Sequence, residues 1–312
     1  MSNNYQWYPG HMTKAKRQMQ EDIKLVDLVI ELLDARLPYS SRNPDIDALS
    51  RGKSRLVLLC KADLADEETN RQWLDYFKSK DILAVKLDAR NRGDMKRIDP
   101  FVQKACREKL ERNKSRGIIG RPVRAMVAGI PNVGKSTFIN SYAGKACAKT
   151  GNRPGVTKGK QWIKLSKTLE LLDTPGILWP RFDDPEVGKR LAFIGSMNDQ
   201  ILELTELAMD LGAFLAERYP GAAESFYGLD GGVTDPDGSG ADISQAPDEA
   251  DKADLAGGDI PDSLKLLYAI ADARRALAKG GAPDIEKASA MLLDDFRSGR
   301  LGRISLERPV DI

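Results

Sequence analysis

Apolar side chains along the chain fall into two regimes. Up to about residue 172 they come in short continuous runs, Leu56-Val57-Leu58-Leu59 being the clearest, as expected of strands covered on both faces. Similar runs predict strands at 82–87, 123–128, 162–165 and 169–172. The segment VDLVIELLDAR fits a buried strand or a helix end; its length and the DARLP stop favour a strand. Between the runs, helical spacing predicts a helix over 67–79, a long basic helix over 95–116 and a helix from Lys135 to Tyr142, with another basic helix at 12–24. Six strands alternating with helices imply a mainly parallel sheet with helices on both faces.

From about residue 186 the period changes. Leu191, Ile194, Ile201, Leu204, Leu207 and Leu211 recur at helical spacing over 187–218, and 263–278 and 285–297 read as two further helices. Residues 229–262 hold ten acidic side chains against one basic one, Lys252, with few large apolar residues. Such a segment buries too little surface to offset its ordering entropy, so a flexible acidic loop is expected. The division expected is 1–185, an α/β domain, and 186–312, a smaller all-helical domain carrying that loop.

Composition narrows the chemistry. The chain has 312 residues, with 48 Lys and Arg against 46 Asp and Glu, so contacts with nucleic acid must rest on local patches. Three such patches stand out: 138–169 lacks acids but has seven Lys or Arg, 96–124 has ten against three acids, and Arg297, Arg300 and Arg303 cluster near the end. Basic clusters suit phosphate backbones, although 96–124 alone fits a solvated helix face equally well. Three cysteines without a CxxC pair argue against a disulfide scaffold or a cysteine-built zinc site, and the single histidine, His11, excludes a histidine cluster. With no signal-peptide core and no apolar run of membrane length, a cytoplasmic, membrane-free protein is expected.

Gly129-Ile-Pro-Asn-Val-Gly134-Lys135-Ser136 fits G-x-x-x-x-G-K-[ST] between an expected strand and an expected helix. The glycines let Asn132, Val133 and Gly134 turn backbone N–H groups toward phosphate oxygens, and the helix start at Lys135, Ser136 and Thr137 adds its positive dipole end. Lys135 would reach the β and γ phosphates and the Ser136 hydroxyl would ligate Mg²⁺. In Leu171-Leu172-Asp173-Thr174-Pro175-Gly176, Asp173 would stand near the metal and the Gly176 amide near the γ-phosphate. Thr157, in RPGVT, either gives Mg²⁺ a second hydroxyl or is a plain loop threonine.

Cys60-Lys61-Ala62-Asp63 resembles the N-K-x-D element of GTPases. A carboxylate at Asp63 accepts from guanine N1–H and the 2-amino group, which adenine lacks, with Lys61 lying along the base. Asp88-Ala89-Arg90 reads as a second base-contacting loop, through the N–H groups of Ala89 and Arg90, or equally as an ordinary strand end.

These base motifs precede the phosphate loop, the reverse of the usual order. WYPGHMTKAKRQM, LLDARLPYSSRNP, PNVGKSTFIN, RPGVTKGKQW, LLDTPGILWP and DFRSGRLGRISLE together closely resemble the ribosome biogenesis GTPase A family among the circularly permuted GTPases. The resemblance implies a permuted P-loop GTPase domain with a mainly parallel six-stranded sheet. It also implies GTP and Mg²⁺ as ligands, the large ribosomal subunit and its RNA as partners, and a C-terminal helical RNA-binding domain. The chain would be a monomer off the ribosome. It further implies that Asn132 helps bind K⁺ and that His11 orients water, since Ile177 stands where many GTPases place Gln; the alternative is that His11 packs or contacts RNA. One departure is Cys60, where the family pattern has Asn, so guanine preference with weakened affinity is expected. Two other readings stay open: an RNA- or protein-binding module with a structural nucleotide site, and an ATPase.

Overall fold

The computed structural model describes residues 17, 19–144, 162–172, 184–197, 199, 202–229 and 260–312. Its elements in chain order are β1 (Leu28–Asp34), α1 (Ile46–Leu49), β2 (Ser54–Cys60), α2 (Glu67–Ser79), β3 (Ala84–Leu87), α3 (Arg92–Lys96), α4 (Ile98–Ala105), α5 (Arg107–Ser115), β4 (Val123–Gly129), α6 (Lys135–Ala143), β5 (Trp162–Lys164) and β6 (Leu169–Leu172). The later elements are α7 (Pro185–Phe193), α8 (Leu204–Arg218), α9 (Ala222–Tyr227), α10 (Asp262–Ala273) and α11 (Ile285–Ser298).

The six strands form one sheet in the order β3-β2-β1-β4-β6-β5. Every neighbouring pair is parallel except β5 with β6. β1 lies at the centre and is buried along its whole length, which explains its near-continuous apolar run. The charge within that run, Glu31, is buried and bonds to Arg55 at 2.8 Å, with Arg42 at 3.6 Å; burial raises its pKa, and the two arginines only partly oppose this.

Helix α2 shows how local rules and packing agree. Asp66 caps it by accepting from the Thr69 N–H at 2.7 Å, and Glu67 and Glu68 favour its positive end. Thr69, Asn70, Trp73 and Phe77 recur every three or four residues and form its buried face. Trp73 and Phe77 pack with Leu33, Val57 and Leu59 of the sheet.

The expected helix over 95–116 is instead three helices. A continuous helix would set the Pro100 ring against the Lys96 carbonyl and remove a hydrogen bond there, so the chain restarts at Ile98. The break at Cys106 is slighter, since its N–H still bonds to Val102 and its carbonyl to Leu110. The helical stretch over 187–218 likewise divides, into α7 and α8. Helix α9 was not anticipated. Of the N-terminal basic helix, only residues near its end are described.

Two compact units emerge, Met1–Leu191 with Arg303–Ile312, and Ala192–Gly302. The expected boundary at 185/186 therefore moves, and residues 303–312 leave the helical half. The physical reason is that residues 304–307 hydrogen-bond to the loops after β1 and β2. Within the second unit, α8, α10 and α11 supply the buried Leu207, Leu211, Leu267, Ile270, Leu292 and Phe296. Among the described residues, no helix is long and apolar enough to cross a membrane.

Candidate active site

In a parallel sheet all strands end on the same edge, and ligands bind outside their carboxyl ends. Here that edge collects four of the sequence-defined segments. The registers Asp34↔Cys60 and Cys60↔Leu87 set the ends of β1, β2 and β3 level, and Leu32↔Gly129 sets the phosphate loop after β4 beside them. Segments scattered from residue 34 to residue 134 thus share one rim.

The phosphate loop is shaped by its backbone. Asn132 and Gly134 both have positive φ, at 60° and 105°. A Cβ on Gly129 would meet the Leu32 carbonyl oxygen and Val133 Cγ1, each at 3.0 Å, so only glycine lets β4 turn so close to β1. Buried Val133 anchors the loop from below, and buried Phe138 and Ile139 anchor α6. Gly134 caps α6 with no side-chain bond, and the nine-residue helix turns its positive dipole end toward this loop. Lys135 and Ser136 are half-buried and Thr137 is exposed, as is Asn132.

The base-side loop is held by side chains. Lys61 adopts a left-handed φ of 55°, uncommon for a side chain of this kind. Its Nζ donates to Asp34 Oδ2 at 3.0 Å. The same carboxylate receives Arg36 Nη2 at 2.8 Å, Arg36 Nε at 2.9 Å and the Arg36 backbone N–H at 3.1 Å. Burial pushes the Asp34 carboxyl up, but Arg36 and Lys61 outweigh it and hold the group well below the usual carboxylate range. Asp63 Oδ2 pairs with Arg90 Nη2, while Asp63 Oδ1 is buried with no hydrogen-bond partner among the described residues. Such an acceptor is costly to leave bare, and guanine N1–H is a fitting donor.

Ala89 is buried. The Arg90 N–H bonds inward to Asp88 Oδ1 at 2.9 Å, and Arg90 Nε reaches the same oxygen at 3.1 Å. In this structure the Arg90 N–H closes the turn. Cys60 ends β2 fully buried, its carbonyl accepting from the Ala35 N–H at 2.8 Å, and burial pushes its thiol pKa up. His11, Thr157, Asp173 and Gly176 lie outside the described residues. Among the described residues no cluster of metal-ligating side chains occurs.

Sequence reading missed Asp34 and Arg36 as a support for Lys61. Part of the signal was available: of three Asp-Ala-Arg tripeptides in the chain, those at 34–36 and 88–90 close strands, while the one at 272–274 ends a helix. The C-terminal arginines have partners within the chain. Arg297 holds Asp199 at 2.7 and 2.8 Å and the carbonyls of Ala192 and Phe193, and Arg300 pairs with Asp295. Both bond within the helical unit, Arg300 while 55% exposed. Arg112, Lys114, Arg116 and Arg121 are exposed.

A family model described as "50S ribosome-binding GTPase" matches residues 124–220. The chain is 44% identical to ribosome biogenesis GTPase A of Bacillus cereus, across 97% of this chain and 94% of that protein. Against ribosome biogenesis GTPase A of Thermotoga maritima the identity is 31%, across 98% and 95%. Among solved structures, GNP-bound YlqF from T. maritima superposes with a TM-score of 0.61 at 27% identity, over 96% of this chain and 100% of that one.

Proposed function

The chain belongs to the ribosome biogenesis GTPase A family, and from that premise we propose that it hydrolyses GTP to GDP and phosphate to switch its binding to the large ribosomal subunit during assembly. The observation that carries the reading is the shared rim: Asp63 after β2 and Lys135 after β4 follow the carboxyl ends of parallel strands of one sheet. The base loops precede the phosphate loop in the chain yet share its edge of the sheet, which supports a circularly permuted GTPase domain. The helical second unit would be the RNA-binding part, with Arg112, Lys114, Arg116 and Arg121 of the first unit adding phosphate contacts.

Each residue then has a task. The N–H groups of Asn132, Val133 and Gly134 and the start of α6 hold the phosphates, with Lys135 neutralising the β and γ groups. Asp63 selects guanine by accepting from N1–H and the 2-amino group, and Lys61 covers the base; Ala89 lines the second loop. Cys60 cannot repeat the hydrogen bonds of an Asn, which weakens the base loop's grip. Ser136, with Thr157 and Asp173, would hold Mg²⁺, and Asn132 would hold K⁺; the dipole end of α6 and the positive-φ turn at Asn132 fit a bound polyphosphate and its cations. Such cations offset charge on the phosphates. The Gly176 amide meets the γ-phosphate, and His11 orients the attacking water. Catalysis that rests on positioning suits slow turnover alone and faster turnover on a partner.

The test is nucleotide hydrolysis with and without large ribosomal subunits. Lys135→Ala should abolish nucleotide binding or turnover, whereas His11→Ala should bind GTP normally but lose subunit-stimulated hydrolysis. Normal stimulation in His11→Ala would remove its catalytic role. Subunit binding that ignores nucleotide, with no turnover, would favour a binding module; equal competition by ATP and GTP, unaltered by Asp63→Ala, would favour an ATPase.

A further inference from the structure

After the last helix, residues 304–307 return to the first unit, where all four are buried. The Ile304 N–H donates to the Leu64 carbonyl at 3.0 Å, and the Leu64 N–H donates to the Lys61 carbonyl at 2.9 Å. Ser305 Oγ accepts from the Asp66 N–H at 3.1 Å. The Leu306 N–H donates to the Arg36 carbonyl at 2.7 Å, and the Arg36 side chain continues through Asp34 to Lys61 Nζ. Two hydrogen-bonded paths therefore run from the C-terminal segment to Lys61, the residue held in a left-handed conformation.

Glu307 fixes the end of this segment. Its carboxylate accepts from the Tyr39 N–H at 2.9 Å, from the Ser40 N–H at 3.1 Å, from Ser40 Oγ, and from Arg190 Nη1 of α7 at 3.3 Å. Its carbonyl accepts from Trp73 Nε1 of α2 at 3.2 Å. Removing that carboxylate would leave two backbone donors buried without an acceptor.

We propose that residues 304–307 are a positioning element of the guanine pocket: they splint the loops after β1 and β2 and so fix how Lys61 and Asp63 face the base. The inference rests on the guanine-binding reading above. Its logic is that the bonds of Ile304 and Ser305 and the carboxylate bonds of Glu307 fall on loops bordering the pocket. A loop bearing a strained, non-glycine left-handed residue holds its shape only when its surroundings over-determine it. Glu307 acts through its bonds to Tyr39, Ser40 and Arg190.

The experiment uses the full-length chain and competition of GTP, ITP and ATP against a fluorescent GDP. ITP lacks the 2-amino group, so the GTP-to-ITP ratio reads how well Asp63 is aimed, apart from general stability. Wild type should prefer GTP to both. Glu307→Gln should weaken GTP binding about tenfold and shrink the GTP-to-ITP ratio, because the charge opposite Arg190 and half of the amide grip are lost. Glu307→Asp, which keeps the charge, should recover part of the ratio. Ser305→Ala, which removes the acceptor for the Asp66 N–H, should shift the ratio in the same direction but less. Val310→Ala, at an exposed site beyond the segment, should leave it unchanged. An unchanged ratio in folded Glu307→Gln and Ser305→Ala, with wild type discriminating, overturns the splint alone. If Glu307→Gln does not fold, Ser305→Ala decides. Absence of discrimination in wild type overturns the guanine reading and the splint together.

Discussion

The tripeptide Asp-Ala-Arg closes two strands of the same sheet, β1 at 34–36 and β3 at 88–90, and the two copies fold alike. In each, the aspartate Oδ1 accepts from the backbone N–H and the Nε of the arginine two residues on. They differ in what surrounds them. Asp34 and Arg36 are 0% and 1% exposed, and the second carboxylate oxygen takes Arg36 Nη2 and Lys61 Nζ. Arg90 is 68% exposed, and its Nη2 leaves Asp88 for Asp63. One turn is a buried strut under the base loop; the other is an open arm on the carboxylate expected to read guanine. The comparison teaches that position in the sheet, central against edge, sets the role that a local motif plays.

Breaking the buried copy should cost most. Asp34→Ala leaves Arg36 without its counter-charge in the interior, so unfolding stability should fall by about 3–5 kcal/mol in urea titration at pH 7. The pH dependence has a definite sign. The Asp34 carboxyl titrates lower in the folded chain than in the unfolded one, where carboxylates lie near ~3.9, so its contribution is intact above about pH 4 and is lost as pH falls through the lower folded value. A stability profile between pH 6 and pH 2 should therefore fall less steeply in Asp34→Ala than in wild type.

The exposed copy should yield less. Arg90→Ala removes a surface pair worth roughly 0.5–1 kcal/mol, with little change in melting temperature. It also frees the Asp63 carboxylate to rotate, so GTP affinity should drop about two- to fivefold at most. A larger stability loss in Arg90→Ala than in Asp34→Ala, measured side by side, would invert the comparison.

Much of the sheet was legible in the amino-acid pattern. The run at 56–59, the helix at 67–79 and the strand at 169–172 lie where apolar spacing put them, because central parallel strands and one-faced helices leave simple periods. The phosphate loop was legible because its constraint is local: Gly129 and Gly134 serve backbone turns within six residues of each other. The support of the base loop was not, because it depends on partners far apart in the chain. Nothing near Glu307 announces Ser40 or Arg190, and a count of arginines at 297, 300 and 303 does not reveal that Asp199 and Asp295 engage the first two. The break before Pro100 follows from its ring, against the basic periodicity around it.

The central claim is that the Asp63 loop and the Lys135 loop grip one guanosine triphosphate. Competition titration of Asp63→Asn with GTP and XTP tests it most directly, since xanthine keeps N1–H but replaces the 2-amino donor with a carbonyl acceptor. The account predicts that wild type prefers GTP, that Asp63→Asn prefers XTP, and that adding Lys135→Ala removes binding of both. An unchanged preference for GTP in Asp63→Asn would contradict it.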